Sequence, residues 1–333
     1  MTDLFELFRS LPVPEGTEEK ARVFSSIATD KAHGFRVAKS SEGYAFLILP
    51  CPNESRVAPG VRLEKLVVER RVVCRISDSD GTVSTGEFSL IGCTAVDAEL
   101  QSFFLRIISP FVDTVDFSNA GSANRAIDLL VALFRAIERP ARKTIQGLWA
   151  ELFLISEASN SADLIDAWHS EPTDLFDFSS GVERVEVKSS SDRRAHHFRL
   201  EQLAQPEGTR LVVASFIVRS AGAGTSIGDL VERLSHRPGM DGTRLEKVAK
   251  NTAETLGADW RSGVSQRFDE EWARDNLLFF DARAIPKVPG PIPPEVENVR
   301  FVVDCSSLQP APEASWREMV LLSRIGFKES DRR

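Results

Sequence analysis

The spacing of apolar residues changes near Asp97 of this 333-residue chain, and that change limits the folds open to it. Across residues 34–92, short runs rich in β-branched residues are separated by Gly, Pro, Asn and Asp, which is typical of antiparallel strands. After Asp97 apolar residues recur at helical spacing, and helix-like and strand-like segments then alternate. We therefore expect a mixed α/β (α+β) protein with a smaller β-rich N-terminal domain, residues 1–118, and an α/β domain, residues 119–333.

Composition and charge narrow the class of protein further. Hydrophobic residues are 42% and charged residues 27% of the chain, which excludes a disordered or fibrous protein and predicts no membrane association. The net charge of −8 argues against a protein that coats nucleic acid, although a local field in a cleft can still attract phosphate. Acidic residues stand where a signal peptide would carry Lys or Arg, so we expect a cytoplasmic location.

The densest group of chemically active side chains lies between Asp174 and Lys188. Two strand-like pieces are joined by Ser-Ser-Gly, and strand alternation places Glu186 and Lys188 on one face of the second piece. In the first piece, Asp177 points away from the phenylalanines that flank it. If the pieces pair, Asp177, Glu186 and Lys188 project into one pocket. Adjacent carboxylates repel unless a cation neutralises them, and their hard oxygens suit Mg²⁺ or Mn²⁺.

These residues resemble a known nuclease signature. Asp177 followed by Glu186-Val187-Lys188 is similar to the D…(D/E)-x-K motif of the PD-(D/E)XK nuclease superfamily. The upstream segment 147–152, Gly-Leu-Trp-Ala-Glu-Leu, resembles the helix that brings a further acidic residue to that site, here Glu151. The literal Pro-Asp dipeptide is absent, so Asp174 stays open as an alternative to Asp177.

The resemblance implies a restriction-endonuclease-like mixed sheet flanked by helices, and hydrolysis of phosphodiester bonds in DNA in preference to RNA. It implies that Asp177 and Glu186 hold one or two Mg²⁺ ions, for which Mn²⁺ is a substitute. Glu151 would be a further ligand or a base, and Lys188 would position or activate the attacking water. Many nucleases of this fold dimerise to cut two strands, so a dimer is compatible, although no heptad pattern indicates one.

Two further segments, residues 189–191 and 196–203, resemble one bacterial branch of the superfamily that is often associated with phage-defence gene clusters. The resemblance therefore implies a role in defence, with protein partners from a defence system. It also leaves a rival open, a catalytically inactive nuclease-fold subunit that binds or scaffolds a defence complex. The retained Asp, Glu and Lys argue against that rival, and the acidic net charge argues for it.

A local basic patch follows the Glu-x-Lys motif in this acidic chain. Its members are expected to contact nucleic-acid phosphates, and they are Arg193, Arg194, His197 and Arg199. A solvated surface loop fits the same residues equally well. Gln202 lies about one helical turn beyond Phe198. Its amide can orient the site lysine or a phosphate, and a role as a helix cap or surface residue fits it equally well. The glycine-rich residues 221–228 lack the dinucleotide-binding spacing and predict a flexible turn.

Overall fold

The computed structural model describes residues 4–16, 21–29, 35–51, 59–112, 115, 119–141, 143–171, 173–204, 208–323 and 325. The chain divides into two compact units, Met1–Ala141 with Asp241–Arg261, and Arg142–Met240 with Ser262–Arg333. The boundary expected at residue 118 lies outside the described residues, and the observed division differs from it. The first unit extends past that position and also takes in a later helical segment.

The helices of the described residues are α1 Leu4–Ser10, α2 Ala98–Val112, α3 Ala120–Ile137, α4 Ile145–Glu157, α5 Ser161–Ala167, α6 Leu200–Leu203, α7 Ile227–Ser235, α8 Gly242–Leu256, α9 Trp260–Ser265, α10 Glu270–Asp275 and α11 Glu313–Arg317. Short 3-10 turns occupy Gly257–Asp259 and Ala282–Ala284. Among these helices, none is both long enough and apolar enough to cross a membrane.

The strands of the first unit are β1 Arg22–Ala28, β2 Arg36–Ser40, β3 Ala45–Pro50, β4 Val61–Arg62, β5 Leu66–Asp78 and β6 Val83–Cys93. The sheet runs β1-β2-β3-β6-β5-β4 and closes on itself because β1 also pairs with β5. That closing pair is parallel and the others are antiparallel. The closed ring consists of the five strands β1, β2, β3, β6 and β5, and β4 pairs with β5 outside it. Because strand directions cannot alternate all the way round a ring of five, one neighbouring pair must be parallel. The barrel core is built on Phe24, Phe46, Cys74 and Leu90.

A late helix belongs to the first unit because its apolar side needs α3. The buried residues of α8 include Leu245, Val248 and Leu256, and α8 packs against α2 and α3. Gly257 ends α8 with a φ of +48°, and a Cβ there would collide with the carbonyl of Arg139, so only glycine fits this close approach.

The strands of the second unit are β7 Phe178–Ser180, β8 Glu183–Ser190, β9 Ala195–Arg199, β10 Arg210–Ile217, β11 Ser220–Ser226, β12 Arg267–Phe268, β13 Leu278–Asp281 and β14 Arg300–Asp304. A mixed four-stranded sheet has the order β13-β10-β8-β7, with β8 and β10 parallel. Strand β9 pairs with β14. The fold is therefore mixed α/β, as the sequence predicts.

One local expectation is wrong in this unit. The glycine-rich segment expected to be a flexible turn forms β11, which pairs with β12. Gly224 makes this pairing possible, because a Cβ at that position would collide with the backbone of Phe268. The segment thus carries little apolar strand signal, and its pairing depends on close backbone approach.

Candidate metal and catalytic site

Helix α4 places a carboxylate inside the second unit. The helix begins at Ile145, where the side chain of Thr144 accepts a hydrogen bond from the backbone N–H of Gly147 at 3.1 Å and caps the first turn. Its residues from Leu148 to Ser156 are all buried, and the helix packs against β8. Glu151 lies in the middle of this run and is only 2% exposed. A charge buried this deeply requires partners.

Glu151 has partners at both carboxylate oxygens. Its Oε1 lies 2.7 Å from the ammonium of Lys143, and its Oε2 accepts the indole N–H of Trp168 at 2.8 Å. The Nε2 of His169 is 3.3 Å from the same Oε2. The helix therefore positions the carboxylate, and the loop after α5 supplies the indole and the imidazole that face it.

Asp177 lies directly before β7, where the antiparallel ladder with β8 begins at Phe178 and Val185. Its Oδ2 accepts the backbone N–H of Val187 at 2.8 Å, and its Oδ1 lies 2.6 Å from the ammonium of Lys143. Asp177 is buried, whereas the alternative Asp174 is exposed and caps a turn by accepting the N–H groups of Ser170 and Glu171. The geometry therefore favours Asp177 as the site carboxylate.

Lys143 and His169 join the cluster although no sequence motif indicates them. One ligand atom each from Glu151, His169 and Asp177 lie within 4.8 Å of one another, a spacing that could hold a metal ion. The Lys143 ammonium bridges the two carboxylates and lies 3.5 Å from His169 Nε2. Neither residue has a motif spacing to Glu151 or Asp177, so only the folded chain brings them together.

The pKa values of the two carboxylates in the cluster, Asp177 and Glu151, are shifted in opposite directions. Burial, and then the negative charges of Glu151 and Glu186, raises the pKa of Asp177 to about 7. Burial alone would also raise the pKa of Glu151, but the charge of Lys143 and the hydrogen bond from His169 outweigh it and lower that pKa to about 2. Near neutral pH, Glu151 is therefore ionised while Asp177 is only partly ionised, so the pair carries less negative charge than two carboxylates with ordinary pKa values.

Glu186 and Lys188 project from β8 on one side, as strand alternation predicts. The ammonium of Lys188 lies 2.6 Å from Glu186 Oε1, and its charge sits over the ring of Phe198, 5.2 Å from the centroid. The amide of Gln202 donates to the same Oε1 at 2.7 Å. Glu186 is 4% exposed, and its Oε2 has no hydrogen-bond partner within the described part of the chain. A buried carboxylate oxygen without a partner is uncommon, and a bound ion or water is one physical explanation for it.

The donor set fits a divalent cation. Glu151 and Asp177 already enclose a cation, the ammonium of Lys143, and the free Oε2 of Glu186 offers a further hard oxygen. The charge of Glu186 acts on Asp177, which places both carboxylates in one electrostatic neighbourhood. The residues whose ligand atoms lie close enough together to hold a metal ion are Glu151, His169 and Asp177. Glu186 is an expected further donor.

The residues of the expected basic patch do not act alike. Arg193 is exposed, 3.7 Å from Asp304, and His197 is exposed on β9, while Arg199 is half-buried. Arg194 is buried instead, and its guanidinium donates to the carbonyl and hydroxyl of Ser215. The structure therefore gives Arg194 an interior role and leaves it unsuited to contact a phosphate.

Gln202 is also turned inward. Its Nε2 donates to Glu186 and to the carbonyl of Leu175, and its Oε1 accepts the backbone N–H of Arg199 at the start of α6. The two roles left open in the sequence, orientation of a site group and capping of a helix, thus occur together. The site group that Gln202 contacts is Glu186, in place of the lysine or phosphate that the sequence predicts.

A helix carboxylate, an Asp before a strand and a Glu-x-Lys strand on a mixed sheet define the PD-(D/E)XK class of proteins. The comparison with family models agrees: residues 4–306 match the family described as "Putative PD-(D/E)XK family member, (DUF4420)". The chain belongs to that family. It has no significant match among curated proteins or among solved structures.

Proposed function

We propose that this protein is a metal-dependent nuclease that hydrolyses phosphodiester bonds, in DNA in preference to RNA, on a restriction-endonuclease-like domain. The observation that carries the proposal is the convergence of Glu151 and Asp177 on a single cation beside the Glu186–Lys188 strand. An ion-pair network that served stability alone would not require a buried carboxylate oxygen without a partner. Membership of the family supports the same reaction class.

Each residue has a role that follows from its contacts. Asp177, Glu151 and Glu186 are the hard-oxygen donors for Mg²⁺ or Mn²⁺. The bound metal would supply acidity to water and offset charge on the phosphate. Lys188, held by Glu186 and by the ring of Phe198, carries a positive charge that can orient water or stabilise a developing phosphate charge. Arg193, His197 and Arg199 supply exposed or half-exposed polar groups for the nucleic-acid backbone.

The test is cleavage of supercoiled plasmid, linear duplex DNA, single-stranded DNA and RNA in Mg²⁺ or Mn²⁺, with EDTA as the control. We expect metal-dependent nicking or linearisation, with RNA cut more slowly. Purified protein that binds Mn²⁺ but cuts none of these substrates would contradict nuclease activity of the chain acting alone. The assay is repeated with any co-purifying defence-system protein, because the proposed role in phage defence allows a partner to be required.

A second candidate is an inactive nuclease-fold subunit that binds or scaffolds a defence complex. The observation in its favour is that Lys143 already forms an ion pair with both Glu151 and Asp177, so the cluster can be stable without metal. Titration with Mn²⁺ separates the two candidates, because an inactive site of this kind would bind no Mn²⁺ at millimolar concentration.

A further inference from the structure

Lys143 occupies the position that the proposed function assigns to a metal ion. Its Nζ lies 2.7 Å from Glu151 Oε1 and 2.6 Å from Asp177 Oδ1, so one ammonium contacts one oxygen of each carboxylate. A divalent cation would use the same pair of oxygens. The two cations carry like charge, so occupancy by one disfavours the other.

The backbone positions show which partner can move. Lys143 precedes the helix cap Thr144 and so lies outside α4, and its side chain is 37% exposed. The side chains of Glu151 and Asp177 are 3% and 8% exposed. The lysine can therefore reach solvent by rotating its own flexible stem, whereas the carboxylates belong to the interior.

Each carboxylate has a hydrogen-bond donor other than the lysine. Glu151 retains the indole N–H of Trp168, and Asp177 retains the backbone N–H of Val187. These neutral donors hold the geometry but do not cancel the negative charge, so a cation is still required. These donors give the two carboxylates fixed contacts that do not involve the ammonium.

We propose that Lys143 is an internal counter-ion that offsets part of the negative charge of Glu151 and Asp177 in the metal-free protein and is displaced when a divalent metal binds. The proposal rests on the proposed function and deepens it by naming what the metal competes with. Lys143 thereby sets the metal concentration at which the site fills. It is a regulatory residue of the site, distinct from Lys188, which lies on Glu186.

The experiment is isothermal titration of Mn²⁺ into wild-type protein, Lys143→Met and Lys143→Arg at pH 8, with Lys287→Met as the matched control at an exposed lysine. Lys143→Met should bind Mn²⁺ about tenfold or more tightly, because binding no longer breaks two charge-assisted hydrogen bonds. Lys143→Arg should keep the competition, and Lys287→Met should match wild type. Equal or weaker binding by Lys143→Met would overturn the proposal.

Thermal unfolding gives a second measurement that holds if Lys143→Met is poorly folded without metal. The variant should have a lower Tm than wild type in EDTA and a larger Tm increase on addition of Mn²⁺, since metal replaces the missing charge. A Tm increase no larger than that of wild type would overturn the proposal. If wild type binds Mn²⁺ and cleaves but Lys143→Met has unchanged affinity for Mn²⁺, only the proposed role of Lys143 is contradicted. Failure of both proteins to bind Mn²⁺ removes the proposed function as well.

Discussion

Asp177 accepts a hydrogen bond from the backbone N–H of Val187 at 2.8 Å, and Val187 is the residue between Glu186 and Lys188. The carboxylate thus occupies the place where the β7–β8 ladder would otherwise continue, since that ladder ends at Phe178 and Val185. The contact ties the Asp and the Glu-x-Lys tripeptide into one rigid unit through the backbone. It also separates two functions of Asp177, the acceptance of a hydrogen bond and the supply of a charge.

Asp177→Asn should test that separation. The amide oxygen of Asn can still accept from Val187, so the fold should persist, whereas the loss of a charged oxygen should weaken Mn²⁺ binding by at least about tenfold. Asp174→Asn is the control, because Asp174 is the alternative carboxylate and lies in an exposed turn. Isothermal titration measures both. A stronger effect from Asp174 would transfer the metal-binding role to that residue.

Lys188→Met should separate rate from binding. Methionine keeps an aliphatic stem beside the ring of Phe198 but removes the ammonium, so Mn²⁺ should still bind while single-turnover cleavage falls by about 10²–10³. The reason is that Lys188 acts on charge that develops in the transition state. Cleavage at the wild-type rate would exclude Lys188 from the chemistry and leave it as a partner of Glu186.

Gln202→Ala should show whether Glu186 needs its amide donor. The change leaves Glu186 Oε1 with Lys188 alone and removes the cap on the backbone N–H of Arg199. We expect about 1–3 kcal/mol lower unfolding free energy and about 10–100-fold weaker Mn²⁺ binding. Glu201→Ala, at the exposed neighbouring position in the same helix, is the matched control. An equal loss in both variants would indicate a general effect on α6.

The parts of the site carried by local sequence order could be predicted. Strand alternation around Glu186 and Lys188, and the helix around Glu151, are local patterns. The strand that directly follows Asp177 does pair with the strand that carries the Glu-x-Lys tripeptide. Lys143 and His169 could not be predicted, because they reach Glu151 only through the packing of a helix against a loop. No periodicity records such a contact.

The fold shows the same division between local and long-range information. The β-rich pattern predicted strands in the first half of the chain, but the closing pair of the barrel joins β1 to β5. The strand β1, Arg22–Ala28, lay before the region recognised as strand-like. Burial separates Arg193 from Arg194 although they are sequence neighbours of identical type. Both arginines precede β9, which begins at Ala195, so strand alternation in the sequence does not predict which of them is buried.

Those adjacent arginines give a paired prediction. Arg193→Ala should change stability by less than about 0.5 kcal/mol, and should weaken DNA binding while reducing the magnitude of its salt slope by about 1. Arg194→Met should instead lower the unfolding free energy by about 2–3 kcal/mol, because Ser215 and Asn276 lose a buried donor. Urea unfolding and DNA binding at several salt concentrations distinguish them. Reversed effects would show that the buried guanidinium reaches the substrate.

His196 should give the second unit a measurable pH dependence. Its ring is 2% exposed, and its Nε2 lies 2.7 Å from the hydroxyl of Ser215. Burial first, and then the positive charges of Lys188 and Arg194, lowers its pKa to about 4. In the unfolded chain this histidine binds a proton near pH 6.5, whereas in the folded chain it does not. Its contribution to the unfolding free energy is therefore complete above about pH 6.5 and is lost as the pH falls towards 4.

Asp177 contributes with the opposite sign, since its folded pKa is raised to about 7 and its contribution falls as the pH rises from about 4 to 7. The prediction therefore concerns the difference in unfolding free energy between wild type and His196→Gln, in which the contribution of Asp177 cancels. His196→Gln keeps a polar group opposite Ser215 but does not titrate. The unfolding free energy of wild type minus that of the variant should shrink by about 2 kcal/mol between pH 7 and pH 5. His197→Gln, at the exposed neighbour, is the control, and a difference independent of pH would show that His196 has the same pKa in the folded and the unfolded chain.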